Sequence, residues 1–350
     1  MSIRLAIGQF KELTDEKLRF AAQTGVTGVQ MNNPHLPGEV RWEMADIRPL
    51  VEKAKNYGLV FEAIENVPAQ FYNKAMLGLP GRDEQIENYQ YTIRSVARAG
   101  IPVLGYHFTP NGVWTTDRKT ETRGGAMART FDMSLVEAAR DDADTLRTFL
   151  PTGLGKTQAL PLHTGDTDVI TAEQMWENYT YFIKAVLPVA EEEGIRLALH
   201  PDDPPVESLG GVARIFNRTD NFKKAHAIAG ASPAWALDLC LGCCSEMPGG
   251  AKNVRDMIEH FGPLGAIAYV HFRDVQGTVP RFTECFIGDG NFNPAEAMAL
   301  LARNGFNGFI IDDHVPSMDD DTDWNHRGRA HAIGYMQGLI RMGQYAGTFA

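Results

Sequence analysis

Short apolar runs alternate with amphipathic segments that end on glycine through most of the 350-residue chain. Residues 3–10 read as a first strand. Residues 12–24 read as a helix that stops at Gly25, because glycine takes the left-handed conformation that ends a helix without steric cost. Residues 28–32 form a second strand, 45–57 a helix closed by Gly58, 59–64 a third strand, and 84–99 a helix before Gly100. Residues 103–108 are the fourth strand, and a strand, polar loop, helix and closing glycine repeated in this way is the pattern of parallel βα units. A helical stretch over residues 181–193 ends at Gly194 and leads into a fifth strand that delivers His200, where Pro201 prevents further regular pairing. Runs at 234–240, 266–271 and 309–314 bring the strands to eight, and residues 325–342 form the helix that closes the ring. The pattern predicts an α/β chain folded as one (β/α)8 TIM barrel over residues 1–350, with long insertions after strands 4 and 7.

The rhythm breaks between Thr109 and Thr171, where a helix is expected over residues 134–148 and a Pro/Gly-rich tail follows. A loop region of this length in a compact fold is usually functional, so residues from about 109 to 171 are expected to form a lid or an oligomer contact. A second excursion, over residues 276–293, rises from the same end of the barrel.

Composition narrows the function. The chain is 44% hydrophobic and 22% charged with a net charge of −11, enough to bury a large core and without the basic stripe that nucleic acid requires. Its start carries no signal-like apolar segment, no run approaches the roughly 20 apolar residues that cross a bilayer, and four cysteines make no disulfide framework. The expectation is a cytoplasmic protein that forms a homo-oligomer and acts on a small molecule, with no membrane partner.

The candidate chemistry lies at strand ends, where α/β barrels carry their active sites. His200, Cys240, His271 and Asp313 end strands 5 to 8 at separations of 40, 31 and 42 residues, each about one strand-plus-helix unit. Core residues placed independently would rarely keep that spacing, so the four are read as one metal site. Two imidazoles, a thiolate and a carboxylate suit Zn2+, Fe2+, Co2+ or Mn2+. His314, beside Asp313, is a titratable ring next to a Lewis acid and is read as a proton-transfer group, the alternative being a residue that holds Asp313. Other features carry less. Cys240 and Cys243 form a Cys-x-x-Cys without a second pair, so Cys243 and Cys244 are read as packing residues. Gly153–Thr157 lacks the first glycine of a phosphate loop, and the run Asp319–Asp321 is read as a solvated turn.

Long motifs in order also resemble a known family. His-Pro-Asp-Asp-Pro-Pro from His200, His-Phe-Arg-Asp-Val from His271, Asp-His at Asp313, and Leu-Gly-Leu-Pro-Gly-Arg-Asp with Ile-Glu-Asn-Tyr between Leu77 and Tyr89 closely resemble the mannonate dehydratases. The resemblance implies a xylose-isomerase-like barrel, an Mn2+ ion on His200, Cys240, His271 and Asp313, and dehydration of D-mannonate to 2-keto-3-deoxygluconate. The runner-up is a metal-dependent sugar isomerase or epimerase of the same barrel class. The sequence departs from the family where Val315-Pro316 follows the Asp-His pair and where residues 323–329 lack the tyrosine found in well-studied members. With His314 as the first catalytic residue, His326, His107, Tyr335 and His331 are then candidates for the second acid or base. Arg273, Arg123 and Arg327 are candidates to hold the substrate carboxylate, and Trp114 to line the substrate site.

Overall fold

The computed structural model describes residues 3–150 and 170–347. Within them eight strands close a barrel: β1 (Arg4–Phe10), β2 (Gly28–Asn32), β3 (Val60–Glu65), β4 (Val103–Tyr106), β5 (Arg196–Leu199), β6 (Trp235–Cys240), β7 (Ile267–His271) and β8 (Phe309–Ile311). Every strand pairs in parallel with its neighbours in sequence, and β8 returns to β1 through Arg4↔Phe309 and Leu5↔Ile310. The expected (β/α)8 barrel is therefore the observed one.

Side chains alternate across each strand, so residues two apart share a side of the barrel wall. The inward set is small along much of the bore, with Ala6, Ala63, Ala198 and Ala236 packed near the stacked rings of Tyr269 and Phe309, whose centroids are 4.9 Å apart. Gly105 has no room for a side chain, since a Cβ there would lie 2.5 Å from the Tyr269 hydroxyl. Following the same alternation upward, the bore ends in Glu65, Asp238, Cys240 and His271. Polar groups thus sit on the strand tops because the apolar bore stops below them.

The helices carry the signals expected of them, with some corrections. Thr14 caps the helix Asp15–Thr24, and Gly25 ends it at φ 75°. The helix ending at Gly194 begins at Ala172 rather than near residue 181, because Thr171 and Gln174 form a reciprocal capping box at its start. The single helix expected over residues 134–148 is two, Met133–Ala138 and Ala143–Thr148, since the Asp142 carboxylate accepts the backbone N–H groups of Asp144 and Thr145 and starts the second one afresh. Strand 8 stops at Ile311 instead of His314, because Asp313 turns into the left-handed region at φ 49°. The last helix runs over His326–Tyr345.

Both insertions meet in one antiparallel sheet, ordered Asp274–Thr278, Arg281–Cys285, Met127–Asp132, Asp117–Glu121. Trp114, Phe131, Phe149, Val275 and Phe282 form its separate apolar core. The rejected phosphate-loop stretch Gly153–Thr157 lies outside the described residues. Among the described residues no helix is long and apolar enough to cross a membrane.

Candidate metal centre and active site

Four of the strand tops converge as the spacing predicted. Ligand atoms of Cys240, His271 and Asp313 lie within 4.8 Å of one another, as do those of His200, Cys240 and Cys243, and those of His200, Asp238 and His271. Cys240 and His271 are shared among the groups, which makes one cluster of them. His200 Nδ1 lies 2.6 Å from the Pro201 carbonyl; it donates there and leaves Nε2 as the ligating atom. Asp313 accepts from Gln9 Nε2 at 2.9 Å and lies 2.9 Å from Arg273 Nε.

The donor set fits a divalent metal ion. The His271 ring nitrogens make no aligned hydrogen bond but lie 3.1, 3.4 and 3.5 Å from the buried carboxylates of Glu65, Asp238 and Asp313, an acid-rich cluster that a cation would neutralise. The field of the site points the same way. Burial works against a charged Cys240, yet a hydrogen bond from the Cys243 thiol and the Arg273 guanidinium overcome it and hold the thiol well below its usual range, in the ligating thiolate form. Burial likewise opposes ionised Asp313, and the His314, His271 and Arg273 charges outweigh it. Burial alone would lower the His200 pKa, but Asp238 and Cys240 raise it to about 9, and the same carboxylate field holds His271 well above its ordinary value. A site that draws protons onto its imidazoles draws a metal cation to the same lone pairs.

A cavity of 660 Å3 opens above this cluster, lined by Gln9, Asn32, Glu65, His107, His200, Asp313 and His314 from the barrel and by Thr115, Arg118 and Arg129 from the first insertion. That volume holds a small linear sugar acid. His314 Nδ1 is 2.7 Å from Glu284 Oε1, and Arg129 Nη1 lies 3.0 Å from Nε2 and 3.3 Å from Nδ1 of the same ring. The Glu284 carboxylate accepts from Nδ1–H and orients the ring, while Arg129 lies against both of its nitrogens. His107 stacks on His200 with centroids 4.0 Å apart and places Nε2 3.4 Å from Glu65 Oε1. Burial and the His200 charge push its pKa down to about 4 against the pull of Glu65.

The remaining residues named from sequence lie elsewhere. Arg273 is 2% exposed and reaches Asp203 and Glu246, each at 2.8 Å, so its fork is committed inside the protein. Arg123 pairs with Asp289 at 2.8 Å and covers the Phe286 ring, and Arg327 donates to the Asp319 carbonyl at the surface. Trp114 is buried in the core of the cap sheet. His326 pairs with Glu16 at 2.7 Å and packs on Phe20 and Trp324. His331 packs on Phe286, and Tyr335 lies beside His331 with its hydroxyl against Gly288. None of these seven lines the cavity. Cys243, read as a packing residue, is also an acceptor for Arg273 Nη2 at 3.1 Å and donates its backbone N–H to Cys240 Sγ.

Sequence reasoning missed Glu65, Asp238, Glu284, Arg118 and Arg129. Asp238 had a usable signal, lying two residues before Cys240 on the inward face of a strand. Glu65 ends β3 as His271 ends β7, and it accepts hydrogen bonds from Gln9, Gln30 and Asn32. Glu284, Arg118 and Arg129 come from irregular insertions and had none.

The comparisons with known proteins agree with this geometry. The family model for D-mannonate dehydratase (UxuA) matches residues 3–346. A mannonate dehydratase of Thermotoga neapolitana is 33% identical over 306 residues, covering 83% of this chain and 81% of that one. The crystal structure of a mannonate dehydratase from Streptococcus suis serotype 2 superposes with a TM-score of 0.83 at 25% identity, over 100% of this chain and 97% of that one. An L-ribulose 3-epimerase structure, at 15% identity and a TM-score of 0.57 over 99% and 97% of the two chains, shares the fold alone. The match from end to end, together with the identity to relatives of similar length, shows that the chain belongs to the D-mannonate dehydratase family of hydro-lyases.

Proposed function

We propose that this protein dehydrates D-mannonate, or a close aldonic acid, to the 2-keto-3-deoxy acid, with Mn2+ held by His200, Cys240, His271 and Asp313. The observation that carries this reading is His314, held between Glu284 and Arg129 on the cavity wall 3.6 Å from Asp313. When bound, the ion supplies positive charge that stabilises the enediolate formed as C2 loses its proton.

The chain's own residues do the rest. His314 takes the C2 proton at Nε2, and Glu284, accepting from Nδ1–H, keeps the ring in that tautomer and steadies the charge it gains. Of the four side chains considered for the second proton step only His107 lines the cavity, and we assign it to the departing C3 hydroxyl. Glu65 Oε1, 3.4 Å from its Nε2, stabilises the ring when it carries the proton. The hydroxyl leaves as water, and the resulting enol becomes the 2-keto group.

Mn2+-loaded protein incubated with a panel of hexonic and pentonic acids should yield a 2-keto-3-deoxy product from one or a few of them. Interconversion of keto sugars with no loss of water would replace this reading by an isomerase or epimerase. Binding without turnover would remove catalysis altogether.

A further inference from the structure

Two arginines of the first insertion face the cavity, and the charge of Glu284 reaches both of them without forming an ion pair with either. Arg118 and Arg129 stand on paired cap strands and line the cavity beside Asp313 and His314. Among the described residues neither lies within ion-pair distance of a carboxylate, although this acidic chain supplies such partners to Arg4, Arg98, Arg123, Arg255 and Arg329. Arg118 Nη2 donates to the Leu150 carbonyl at 3.2 Å, and Arg129 Nη1 lies 3.0 Å from Nε2 and 3.3 Å from Nδ1 of the His314 ring. Burial and then the Arg129 charge make Arg118 easier to deprotonate than a free arginine, so two like charges share one wall, and an anion between them would relieve the repulsion.

We propose that Arg118 and Arg129 bind the carboxylate of the sugar acid, and that Arg129 releases His314 Nε2 as it does so. The inference rests on the dehydratase reading and adds the substrate group that the cap recognises. A guanidinium nitrogen 3.0 Å from Nε2 and 3.3 Å from Nδ1 covers the ring, and a covered ring cannot approach a proton on carbon. A carboxylate competes well for that guanidinium, because a charge-assisted, two-pronged contact is stronger than one bond to a neutral ring. The geometry matches the substrate's connectivity. C1 carries the carboxylate and C2 the proton to be removed, and Arg129 is in hydrogen-bond contact with the base that must reach C2. An alditol or neutral sugar would leave Arg129 where it is and the base covered, so the device selects acids.

The test uses a 3-deoxyhexonate, which cannot lose a C3 hydroxyl, and the alditol with the same hydroxyl pattern. Binding of both to Mn2+-loaded protein is measured by calorimetry, and C2 exchange of the acid by NMR in D2O. The wild type should favour the acid by about tenfold or more, and Arg118→Met and Arg129→Met should each weaken the acid by roughly 10- to 100-fold while moving the alditol less than about twofold. Arg129→Lys, which keeps the charge without the fork, should show a smaller loss in the same direction and serves if the methionine variant does not fold. At saturating acid, exchange in the arginine variants should stay within about threefold of wild type, because the base is already uncovered and only the binding constant has changed. An acid preference that survives both substitutions, or equal losses of acid and alditol, would overturn the carboxylate site. Loss of exchange at saturation in Arg129→Met would overturn the release step. Neither result depends on which acid of the hexonic panel is turned over, so failure of the dehydratase reading is detected separately.

Discussion

The barrel rim and the cap above it hold their charged groups in opposite ways. On the rim, Glu65, Asp238, His271, Arg273 and Asp313 are all buried, and Asp313 is fixed from two sides by Gln9 and Arg273. In the cap, Arg118 is exposed and Arg129 half-buried, and both extend from a sheet assembled out of two stretches far apart in the chain. Donors for a metal need fixed positions, and parallel strands provide them. A group that must meet an arriving substrate needs freedom to move, which an insertion over the barrel mouth provides. His314 stands where the two meet, on the rim by sequence and held by Glu284 and Arg129 of the cap.

The rim half of this contrast is broken most directly at its ligands. Cys240→Ala and His271→Ala should lose bound metal and at least about a thousandfold in turnover, with the barrel still folded by circular dichroism. Stoichiometric metal in either variant would remove that residue from the site. At the junction, His314→Asn should keep its metal, lose C2 hydrogen exchange and fall roughly 10²- to 10⁴-fold in rate, the size expected for a missing acid–base group. Rescue by excess Mn2+ would make His314 a support for Asp313 instead.

The metal-free protein gives a pH test of the rim. The folded pKa of His200 lies near 9, above its ordinary 6.5, so its contribution to stability is fully present below about pH 6.5 and is lost as pH rises through 9. A shift of that size is worth up to about 3 kcal/mol, and it should appear as a midpoint in urea that falls across this window. Metal binding must displace the same proton, so affinity should rise over the same window. A midpoint independent of pH would mean that His200 is not charged in the metal-free fold.

The smallest effect is expected in the cap. Glu284→Gln keeps an acceptor for His314 Nδ1–H but removes the charge that steadies the protonated ring, and it should lower turnover by about tenfold with metal content unchanged. Glu284→Ala should cost more than Gln. Wild-type rates in both variants would show that the contact with His314 contributes nothing to turnover.

Much of the rim was legible because a strand has a short and strict period. Once a run of residues is a β-strand ending at a proline or a turn, the last inward position is determined, and His200, Cys240 and His271 follow from that alone. Asp238 follows too, two residues below Cys240 on the same inward face. The cap was not legible. The partner of the strand Met127–Asp132 is Arg281–Cys285, and no local pattern says that residues so far apart will pair. In sequence Arg273, Arg123 and Arg327 have the same apparent chemistry for a carboxylate as Arg118 and Arg129. Guanidinium groups look alike in sequence, and their use depends on which acids the fold has already placed beside them.

By itself, then, the sequence determined the barrel, the order of its strands and which residues stand on their carboxyl ends, because local periodicity and glycine stops act over a few residues. Only the tertiary structure decided which charges neutralise one another. Among the described residues four acids lie within ion-pair distance of Arg273 and none within that distance of Arg129, and His314 has a carboxylate on Nδ1 and a guanidinium against its ring. Electrostatic partners are set by distance in space, and here that distance is created by two insertions folding over a barrel whose strands do not specify them.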